Sequence, residues 1–224
     1  AKPLYFLDYI AVHALDPNQI EQIMTGMVNG CKQANCSLVG GEMAEMNDLY
    51  KPNDFDVAGF SVGIVEKSEI IDGQTIKESN YVYACPSAGF HSNGYSLIRK
   101  VLTQEVREQH NISIEELLTP TKLYVETFLK LKEQGAKLTG LSHITGGGLA
   151  ENVERVLPEG IGFTVNKADI KTLPCFKQLQ EIGNISEGEM YRVFNMGIGL
   201  IIISEEPLPE SEDYYLLSRI ENTT

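Results

Sequence analysis

The sequence Leu38-Val39-Gly40-Gly41-Glu42-Met43-Ala44-Glu45-Met46 decides the fold prediction for the first part of the chain. Its apolar start predicts a strand. The glycine pair predicts a turn where the backbone can approach a ligand closely, because glycine has no Cβ. The carboxylates of Glu42 and Glu45 are oxygen ligands of the kind that Mg²⁺ shares with substrate phosphates. The stretch therefore predicts a nucleotide or metal site, with a plain turn followed by a helix as the alternative.

Strands are predicted on both sides of this stretch. Residues 4–10 read as a buried strand whose one charge, Asp8, must either meet a cation or lie at the exposed end of the strand. Asp16 and Pro17 predict the start of a helix that ends near Asn35. Residues 56–65 alternate large and small side chains, which predicts a strand that a second layer or a second subunit can approach closely.

The composition changes after this strand. Residues 66–80 are charged and contain an Asp-Gly turn, and a new apolar strand begins at Tyr81. We therefore predict a domain boundary near Gln74, with one domain over residues 1–73 and a second over residues 74–224. In the second domain Thr119 and Pro120 predict a helix start, and an amphipathic helix is predicted to begin in the last residues.

A loop of small residues follows the strand that begins at Tyr81. A strand, a small-residue loop and a helix N-terminus in succession gather free backbone amides, which is typical of an anion site. His91, Ser92 and Asn93 are the candidate residues of this loop. His91 could donate to a phosphate or move a proton, or it could only make local hydrogen bonds. Ser92 or Asn93 could instead simply cap the helix.

A second loop candidate contains three successive glycines, Gly146, Gly147 and Gly148, between Thr145 and a helical stretch that includes Asn152. The high entropy of glycine in the unfolded chain favours a phosphate-cradling or substrate-approach loop over a flexible hinge.

A short helix near residue 190 carries a further candidate pair. Arg192 and Asn195 are three residues apart and are predicted to share a helix face, where Arg192 could bind a phosphate or a carboxylate. An ion pair between Arg192 and Glu189 explains the same spacing.

Composition and charge exclude several classes of protein. The net charge of −13 argues against a nucleic-acid surface, which needs a basic patch. No apolar run approaches the ~20 residues of a membrane span. The four cysteines show no zinc-site spacing, which indicates reduced thiols and a cytoplasmic protein.

Seven motifs in fixed order carry a resemblance to a known family. They occupy residues 3–9, 40–46, 56–60, 65–73, 91–97, 145–148 and 189–195. Together they resemble phosphoribosylformylglycinamidine cyclo-ligase, also called aminoimidazole ribonucleotide synthetase. The resemblance runs over essentially the whole chain, and it rests on the series of motifs because no single one would suffice.

The resemblance implies a two-domain α/β (α+β) fold. The first domain would bind ATP and form a β-barrel with its twin in a homodimer, and the second would be an α/β domain. The implied activity is that of a ligase in purine biosynthesis. Mg-ATP phosphorylates the formamide oxygen of formylglycinamidine ribonucleotide, and the amidine nitrogen then attacks to close the ring of 5-aminoimidazole ribonucleotide. Catalysis of this kind depends on positioning and charge neutralisation.

Site residues are carried over by matching positions. The resemblance implies catalytic roles for His91, Glu42 and Asp8, with Asp8 and Glu42 also near Mg²⁺. The residues that it implies in substrate or nucleotide binding are Gly40, Gly41, Glu45, Ser92, Asn93, Thr145, Gly146, Gly147, Gly148, Asn152, Arg192 and Asn195.

The chain departs from the family pattern at both ends. The glycine-rich segment and the Asp-Gly-Val-Gly-Thr-Lys motif, which handle ATP phosphates in the family, do not occur in the sequence, and the family continues beyond Thr224. The alternatives are a formylglycinamidine ribonucleotide synthetase-like enzyme, a non-catalytic dimerisation or nucleotide-binding fragment, and a kinase of the thiamin-monophosphate type.

Overall fold

The computed structural model of this chain describes residues 1–223. The chain divides into two compact units, Ala1–Ile70 and Ile71–Thr224, and both contain helices and a sheet, as the α/β (α+β) prediction requires. The first unit consists of β1 (Lys2–Val12), α1 (Pro17–Gln33), β2 (Ser37–Glu45), β3 (Phe55–Ile64) and a 3-10 turn at Lys67–Glu69.

β1 is the central strand of the first unit. It pairs in parallel with β2 and antiparallel with β3, so the order in the sheet is β2-β1-β3. The connection from β1 to its parallel neighbour β2 needs a crossover, and α1 supplies it. This helix begins where the sequence predicts, with the Asp16 carboxylate accepting a hydrogen bond from the Asn18 amide at 3.0 Å and proline at the first helical position. After α1, Asn35 adopts a left-handed backbone conformation and ends the turn that follows the helix.

The predicted turn at Gly40 and Gly41 is wrong. Both glycines lie inside β2, which continues to Glu45. The pairing with β1 passes from Phe6↔Leu38 to Leu7↔Gly40, so Val39 is an extra residue in β2 and forms a β-bulge. Gly40 follows the bulge with a φ of 154°. The glycine pair therefore accommodates a β-bulge within a continuous strand and does not form a turn.

β3 exposes large apolar side chains on both of its faces. Side chains at odd and even positions of a strand point to opposite faces of the sheet, so Phe55 and Phe60 lie on different faces. Phe55 is 49% exposed and Phe60 is 60% exposed. Every residue of β3 is exposed in this chain. An apolar strand of this kind is typical of a surface that another protein layer covers.

The second unit has more elements and a larger core. In chain order it contains β4 (Tyr81–Pro86), α2 (Tyr95–Val101), α3 (Gln104–His110), α4 (Ile114–Leu117), α5 (Val125–Glu133), β5 (Leu138–His143), α6 (Gly148–Glu154), β6 (Ile161–Gly162), a 3-10 turn at Lys167–Asp169, α7 (Pro174–Gly183), α8 (Glu187–Val193), β7 (Ile198–Ser204), β8 (Tyr215–Arg219) and β9 (Glu221–Asn222).

An antiparallel sheet in the order β5-β7-β4-β8 organises this unit. All seven residues of β7 are buried, as expected for a fully apolar run in the middle of a sheet. On one side, Ile144 and Val153 pack with Ile201. A separate cluster contains Phe90, Phe176 and Phe194, whose rings lie 4.9 to 6.1 Å apart between centroids. These two cores support the two loops that carry the candidate site residues.

Two helix predictions in this unit need correction. The helix predicted from Thr119 begins at Val125, because residues 119–124 form an irregular segment before it. The amphipathic helix predicted in the last residues is absent from the described part of the chain, where β8 and β9 lie instead. β8 pairs with the edge of β4, and a strand that is half-buried at a sheet edge carries the same mixture of apolar and polar residues as an amphipathic helix.

Candidate functional site

The candidate residues of the first unit lie along β1 and β2. Asp8 is 8% exposed in the middle of β1, between Gly41 of β2 and Gly59 of β3. A Cβ built on Gly41 would come within 2.5 Å of the Asp8 carboxylate carbon, so only glycine leaves room for this side chain. Asp8 is therefore buried in the middle of the strand. This excludes the alternative that Asp8 lies at the exposed end of the strand.

Asp8 lies on the face of the sheet that α1 covers. Burial, with smaller contributions from the Cys36 thiol and the Asp8 carboxylate, raises the pKa of the Cys31 thiol of α1. An electrostatic contribution from Asp8 indicates that its carboxylate lies near the thiol of α1. Gly41 shares this face because its position opposes Asp8 in the register.

The structure does not bring Asp8 and Glu42 together. Glu42 follows Gly41 in β2, so its side chain points to the opposite face of the sheet from Asp8. It is exposed, and its carboxylate accepts a hydrogen bond from the adjacent Met43 amide at 2.8 Å. The two carboxylates do not fit one Mg²⁺ held by both. Within residues 1–223, no three His, Cys, Asp or Glu side chains converge as a metal site.

Glu45 is also engaged locally. It shares a face with Asp8, but it lies four residues beyond Gly41, a distance of roughly 13 Å along the strand. Its carboxylate accepts a hydrogen bond from the Leu15 amide at 3.0 Å. Glu45 therefore connects the segment before α1 to the end of β2 through this hydrogen bond.

In the second unit the two predicted loops lie side by side. The loop that follows β4 carries His91, Ser92 and Asn93, and the glycine loop precedes α6. The oxygen of the Asn93 side-chain amide lies 3.5 Å from where a Cβ on Gly146 would be. Asn93 and Gly146 are 53 positions apart in sequence, and their proximity supports the prediction that the two loops are parts of one site.

The loop after β4 ends without a side-chain cap. Gly94, with a φ of 78°, occupies the N-cap position of α2, so neither Ser92 nor Asn93 caps this helix. The Ser92 hydroxyl lies 3.2 Å from that of Thr121, and Ser92 is exposed. The side chains of Ser92 and Asn93 are therefore not used by the helix and stand at the surface of the loop.

His91 is turned inwards in this loop. Its ring is 4% exposed and its backbone is left-handed, with a φ of 56°. Nε2 accepts hydrogen bonds from the amides of Ala88 at 3.0 Å and Lys122 at 3.4 Å. Burial, followed by the proximity of His143, lowers the pKa of His91 to about 4. The imidazole is therefore neutral at physiological pH.

The other ring nitrogen of His91 has no partner. Nδ1 is buried and makes no hydrogen bond within the described chain. Leaving such a group unpaired costs about 1–3 kcal/mol of folding free energy, so a partner or a function is expected for it.

The glycine loop is built around Asn152 of α6. The Asn152 amide nitrogen donates to the carbonyl oxygens of Gly148 at 2.8 Å, Gly146 at 3.1 Å and Thr145 at 3.4 Å. Its oxygen accepts from the Thr145 hydroxyl at 3.1 Å. The loop is thus fixed by hydrogen bonds, which argues against a flexible hinge. Asn152 is turned into the loop and is not free for a ligand.

Two of the three glycines adopt backbone conformations with positive φ, which favour glycine. Gly147 has a φ of 94° and Gly148 a φ of 66°. A Cβ on Gly148 would overlap the carbonyl oxygen of Tyr191 in α8. The glycine loop is therefore pressed against the end of α8, and no larger residue fits at Gly148.

Asn195 plays a similar part for the loop after β4. It is 2% exposed, its amide nitrogen donates to the Gly89 carbonyl, and its oxygen accepts from the Ser87 hydroxyl and the Gly197 amide, all at 2.9 Å. α8 ends at Val193, so the prediction that Arg192 and Asn195 share a helix face is wrong.

Arg192 is exposed on α8. Its guanidinium makes two hydrogen bonds with the Glu189 carboxylate, at 2.7 and 2.8 Å. The ion pair that was the alternative at this spacing is therefore present. An exposed pair of this kind contributes little to stability and can be exchanged for another anion.

The sequence analysis missed the residues that surround His91. Gly199 of β7 faces the ring: a Cβ there would lie 2.7 Å from His91 Cε1 and would overlap the Tyr124 hydroxyl. Tyr124 donates to the Pro86 carbonyl at 3.0 Å, and the His143 ring lies 6.3 Å from that of Tyr124. Gly199 in an otherwise bulky apolar strand was the signal that could have indicated a close approach.

Comparison with known proteins identifies two domains of one family. Residues 1–65 match "AIR synthase related protein, N-terminal domain", and residues 77–211 match "AIR synthase related protein, C-terminal domain". Among solved structures, E. coli HypE, a hydrogenase maturation protein, has a TM-score of 0.70 at 16% identity and covers 98% of this chain and 68% of its own.

Two further solved neighbours are complexes with nucleotides or nucleotide analogues. AaThiL complexed with AMPPCP and TMP has a TM-score of 0.66 at 13% identity, covering 98% of this chain and 68% of its own. HypE in complex with ATP has a TM-score of 0.69 at 12% identity, covering 99% of this chain and 66% of its own. At these identities the three structures establish the fold only.

Curated sequences are much more similar. The phosphoribosylformylglycinamidine cyclo-ligase of Pseudothermotoga lettingae is 49% identical over 211 residues, 92% of this chain and 62% of the relative. That of Acetivibrio thermocellus is 46% identical over 223 residues, 96% of this chain and 65% of the relative. The chain thus spans less than two thirds of the length of these relatives. With both domain matches and this level of identity, the chain belongs to the AIR synthase related protein family.

Proposed function

We propose that this chain acts in the ATP-dependent cyclisation of formylglycinamidine ribonucleotide to 5-aminoimidazole ribonucleotide, a ligase step of de novo purine biosynthesis. The observation that carries the proposal is the 49% identity, over 92% of the chain, to a relative named phosphoribosylformylglycinamidine cyclo-ligase. A second relative with the same name, at 46% identity over 96% of the chain, supports it.

The proposed reaction has two steps in order, and each step forms one bond and breaks another. The γ-phosphoryl group of ATP passes to the formamide oxygen of the substrate, which makes the formyl carbon electrophilic. The amidine nitrogen attacks that carbon, and phosphate leaves as the imidazole ring closes. No covalent bond to the protein is required, so the residues act by holding the reactants and neutralising charge.

The paired loops of the second unit are the proposed substrate site. The exposed Ser92 and the half-buried Asn93 lie on one loop, and the backbone amides of Gly146 and Gly147 lie on the other, while the Gly148 amide donates to the Thr145 carbonyl at 3.2 Å. The fixed shape of the glycine loop favours recognition of a phosphate, because bound oxygens meet amides that are already ordered. Thr145, Asn152 and Asn195 act indirectly, by holding these loops in place.

ATP and Mg²⁺ are the proposed cofactors, and residues 1–73 are the proposed part of an ATP-binding and dimerisation domain. Neighbours of the same fold that were solved in complex with ATP or AMPPCP support nucleotide binding. Gly40, Gly41 and Glu42 are the proposed nucleotide contacts. The opposite faces of Asp8 and Glu42 do not fit one ion held by both side chains, so we derive no step through a carboxylate pair.

A homodimer in the cytoplasm is the proposed state. The exposed apolar strand β3 supports a covering protein layer, and a second copy of the same sheet is the proposed occupant in a shared barrel. Among residues 1–223 no helix is long and apolar enough to cross a membrane.

Arg192 gives a direct test of the substrate site. We expect Arg192→Ala to weaken binding of formylglycinamidine ribonucleotide roughly tenfold, because one charge-assisted contact with the anionic substrate is lost. The matched control is Lys130→Ala, which removes another exposed ion pair within one helix, with Glu126 at 2.7 Å. Titration calorimetry gives the affinities and thermal unfolding the stabilities. Equal substrate affinities for the two variants would show that Arg192 only pairs with Glu189.

The turnover assay tests the function itself. The purified full chain is incubated with Mg-ATP and formylglycinamidine ribonucleotide, and ADP and 5-aminoimidazole ribonucleotide are measured by chromatography. The expected result is one ADP for each ring closed, and no ADP without the ribonucleotide. Dimerisation and stabilisation by Mg-ATP without turnover would favour a nucleotide-binding fragment, since a ligand that binds only the folded state raises its stability. Turnover that requires an ammonia source would favour a formylglycinamidine ribonucleotide synthetase-like enzyme.

A further inference from the structure

The hydrogen bonds of His91 determine which ring nitrogen carries the proton. Nε2 faces two backbone amides, those of Ala88 and Lys122, and an amide N–H can only donate. Nε2 must therefore be the unprotonated acceptor. In a neutral imidazole the single proton then resides on Nδ1.

The imidazole ring of His91 cannot flip to another orientation while the loop is closed. The backbone of β7 at Gly199 lies against Cε1, and Tyr124 packs beside the ring while its hydroxyl holds the Pro86 carbonyl. Rotating the ring by 180° would place carbon atoms against the two amides and leave both unpaired. The loop, the strand and Tyr124 together fix the position of the ring.

The resulting Nδ1–H group is a buried donor without an acceptor in residues 1–223. Native structures rarely leave such a group unpaired, and a bound water, an ion or a ligand commonly supplies its partner. The left-handed backbone of His91 adds strain to the closed loop, with a φ of 56° at a residue that is not glycine. Both features are relieved if residues 88–93 move so that Nδ1–H meets an acceptor, while the Lys122 amide, which lies outside this segment, still donates to Nε2.

We propose that His91 is a neutral hydrogen-bond donor, which offers Nδ1–H to an oxygen atom of the bound ligand when the loop opens, and that it does not remove a proton. The acceptor is a carbonyl or phosphate oxygen, since both accept a hydrogen bond from a neutral donor. The inference rests on the proposed function for the identity of the ligand, but the assignment of the proton to Nδ1 rests only on the hydrogen bonds of the chain.

The surroundings of the ring agree with a neutral donor. His143 at the end of β5, Tyr124 before α5 and Lys122 in the preceding segment are the titratable neighbours, and Lys122 lies 3.9 Å from Asp213. The hydrogen bonds of the imidazole within residues 1–223 come from backbone amides and not from a carboxylate that would stabilise an imidazolium. A general base at this position would have to become a cation among amide donors and a second histidine, which the local field opposes.

The first experiment locates the proton without any ligand. The ring nitrogens of the ¹⁵N-histidine-labelled full chain are observed by NMR, and the His91 signals are identified by their loss in His91→Asn. We expect Nδ1 to show a bonded proton, Nε2 to show none, and neither to titrate between pH 5.5 and 8. A proton on Nε2, or titration near the pKa of a free imidazole, overturns the proposal.

The second experiment asks whether a ligand supplies the acceptor. Formylglycinamidine ribonucleotide, Mg²⁺ with a non-hydrolysable ATP analogue, and inorganic phosphate are titrated separately into the labelled chain. Movement of the Nδ1–H signal with the ribonucleotide or with the ATP analogue supports the donor role and identifies which of the two ligands carries the acceptor. Movement with inorganic phosphate as well identifies the acceptor as a phosphate oxygen. A signal that does not move at saturation with any ligand that binds overturns the donor role.

Two variants separate the donor from the backbone conformation. Asparagine and glycine both accept a positive φ, but only asparagine keeps an N–H near the position of Nδ1. We expect His91→Gly to bind the ribonucleotide about tenfold more weakly than the original chain, and His91→Asn to recover most of the difference. Equal loss in both variants overturns the proposal. If the unchanged chain binds none of the three ligands, the proposed function fails, and the donor role fails with it, whereas the assignment of the proton is decided by the first experiment.

Discussion

Replacing Gly148 with alanine is expected to lower the free energy of unfolding of the second unit by about 3 kcal/mol or more. Two effects add. The φ of 66° is unfavourable for any residue with a Cβ, and the new methyl group would overlap the Tyr191 carbonyl oxygen, which belongs to the backbone of α8 and cannot swing aside. Either the glycine loop or the end of α8 must move. Urea denaturation followed by circular dichroism measures the change.

Gly160→Ala is the matched control for this variant. Gly160 has a similar φ of 75°, but a Cβ there would find no atom within 4 Å. It should therefore show only the conformational part of the effect, about 1–2 kcal/mol. If the two variants lose the same stability, the contact with Tyr191 does not limit the size of residue 148, and the description of the glycine loop as pressed against α8 is wrong.

Much of the fold could be predicted because periodicity and turn chemistry agree locally. α1 begins at its Asp-Pro signal, and the strand predicted from Tyr81 is present as β4. The predictions failed where the same local pattern fits two structures. A glycine pair suits a β-bulge as well as a turn, and only the register with β1 decides between them. The last strands likewise depend on pairing with β4, which no local signal reports.

The candidate site was predicted less completely, because residue type does not tell where a side chain points. Asp8 and Glu42 are plausible partners in sequence, but the register of β1 and β2 puts them on opposite faces. Asn152 and Asn195 lie near glycine-rich loops and were predicted as ligand contacts, yet both use their amides to satisfy loop backbone. Tertiary structure, not local sequence, decides whether a polar side chain near a loop faces the ligand or the loop.

The two loops share a principle of construction. Each combines glycine, which allows an unusual backbone path, with a buried asparagine that pairs the backbone groups this path leaves without partners. Glycine alone would make these segments flexible, and an asparagine alone could not give the backbone its path. The glycine loop is ordered before a ligand arrives and so loses less entropy on binding, which means that Asn152 contributes to affinity without touching the ligand.

The isosteric change Asn152→Asp tests this construction most severely. It replaces an amide nitrogen, which donates to three carbonyl oxygens, with a second carboxylate oxygen that those carbonyls repel. Asn152 is 5% exposed, so water cannot screen the repulsion. The Arg155 guanidinium donates to the Asn152 oxygen at 3.3 Å and offsets part of the repulsion from the three carbonyls. We therefore expect the free energy of unfolding to fall by about 2 kcal/mol, with the pKa of the aspartate raised. Stability measured from pH 5 to 8 should therefore fall as the pH rises.

The matched control, Asn166→Asp, makes the same chemical change where an acceptor is needed. The Asn166 oxygen caps the 3-10 turn by accepting from the Ala168 amide at 3.1 Å, and a carboxylate oxygen can do the same. That variant should keep its stability at all pH values in the range. If Asn152→Asp also keeps its stability and its affinity for formylglycinamidine ribonucleotide, the glycine loop does not depend on the amide donor. Order before binding would then have to come from the contact between Gly148 and α8 alone.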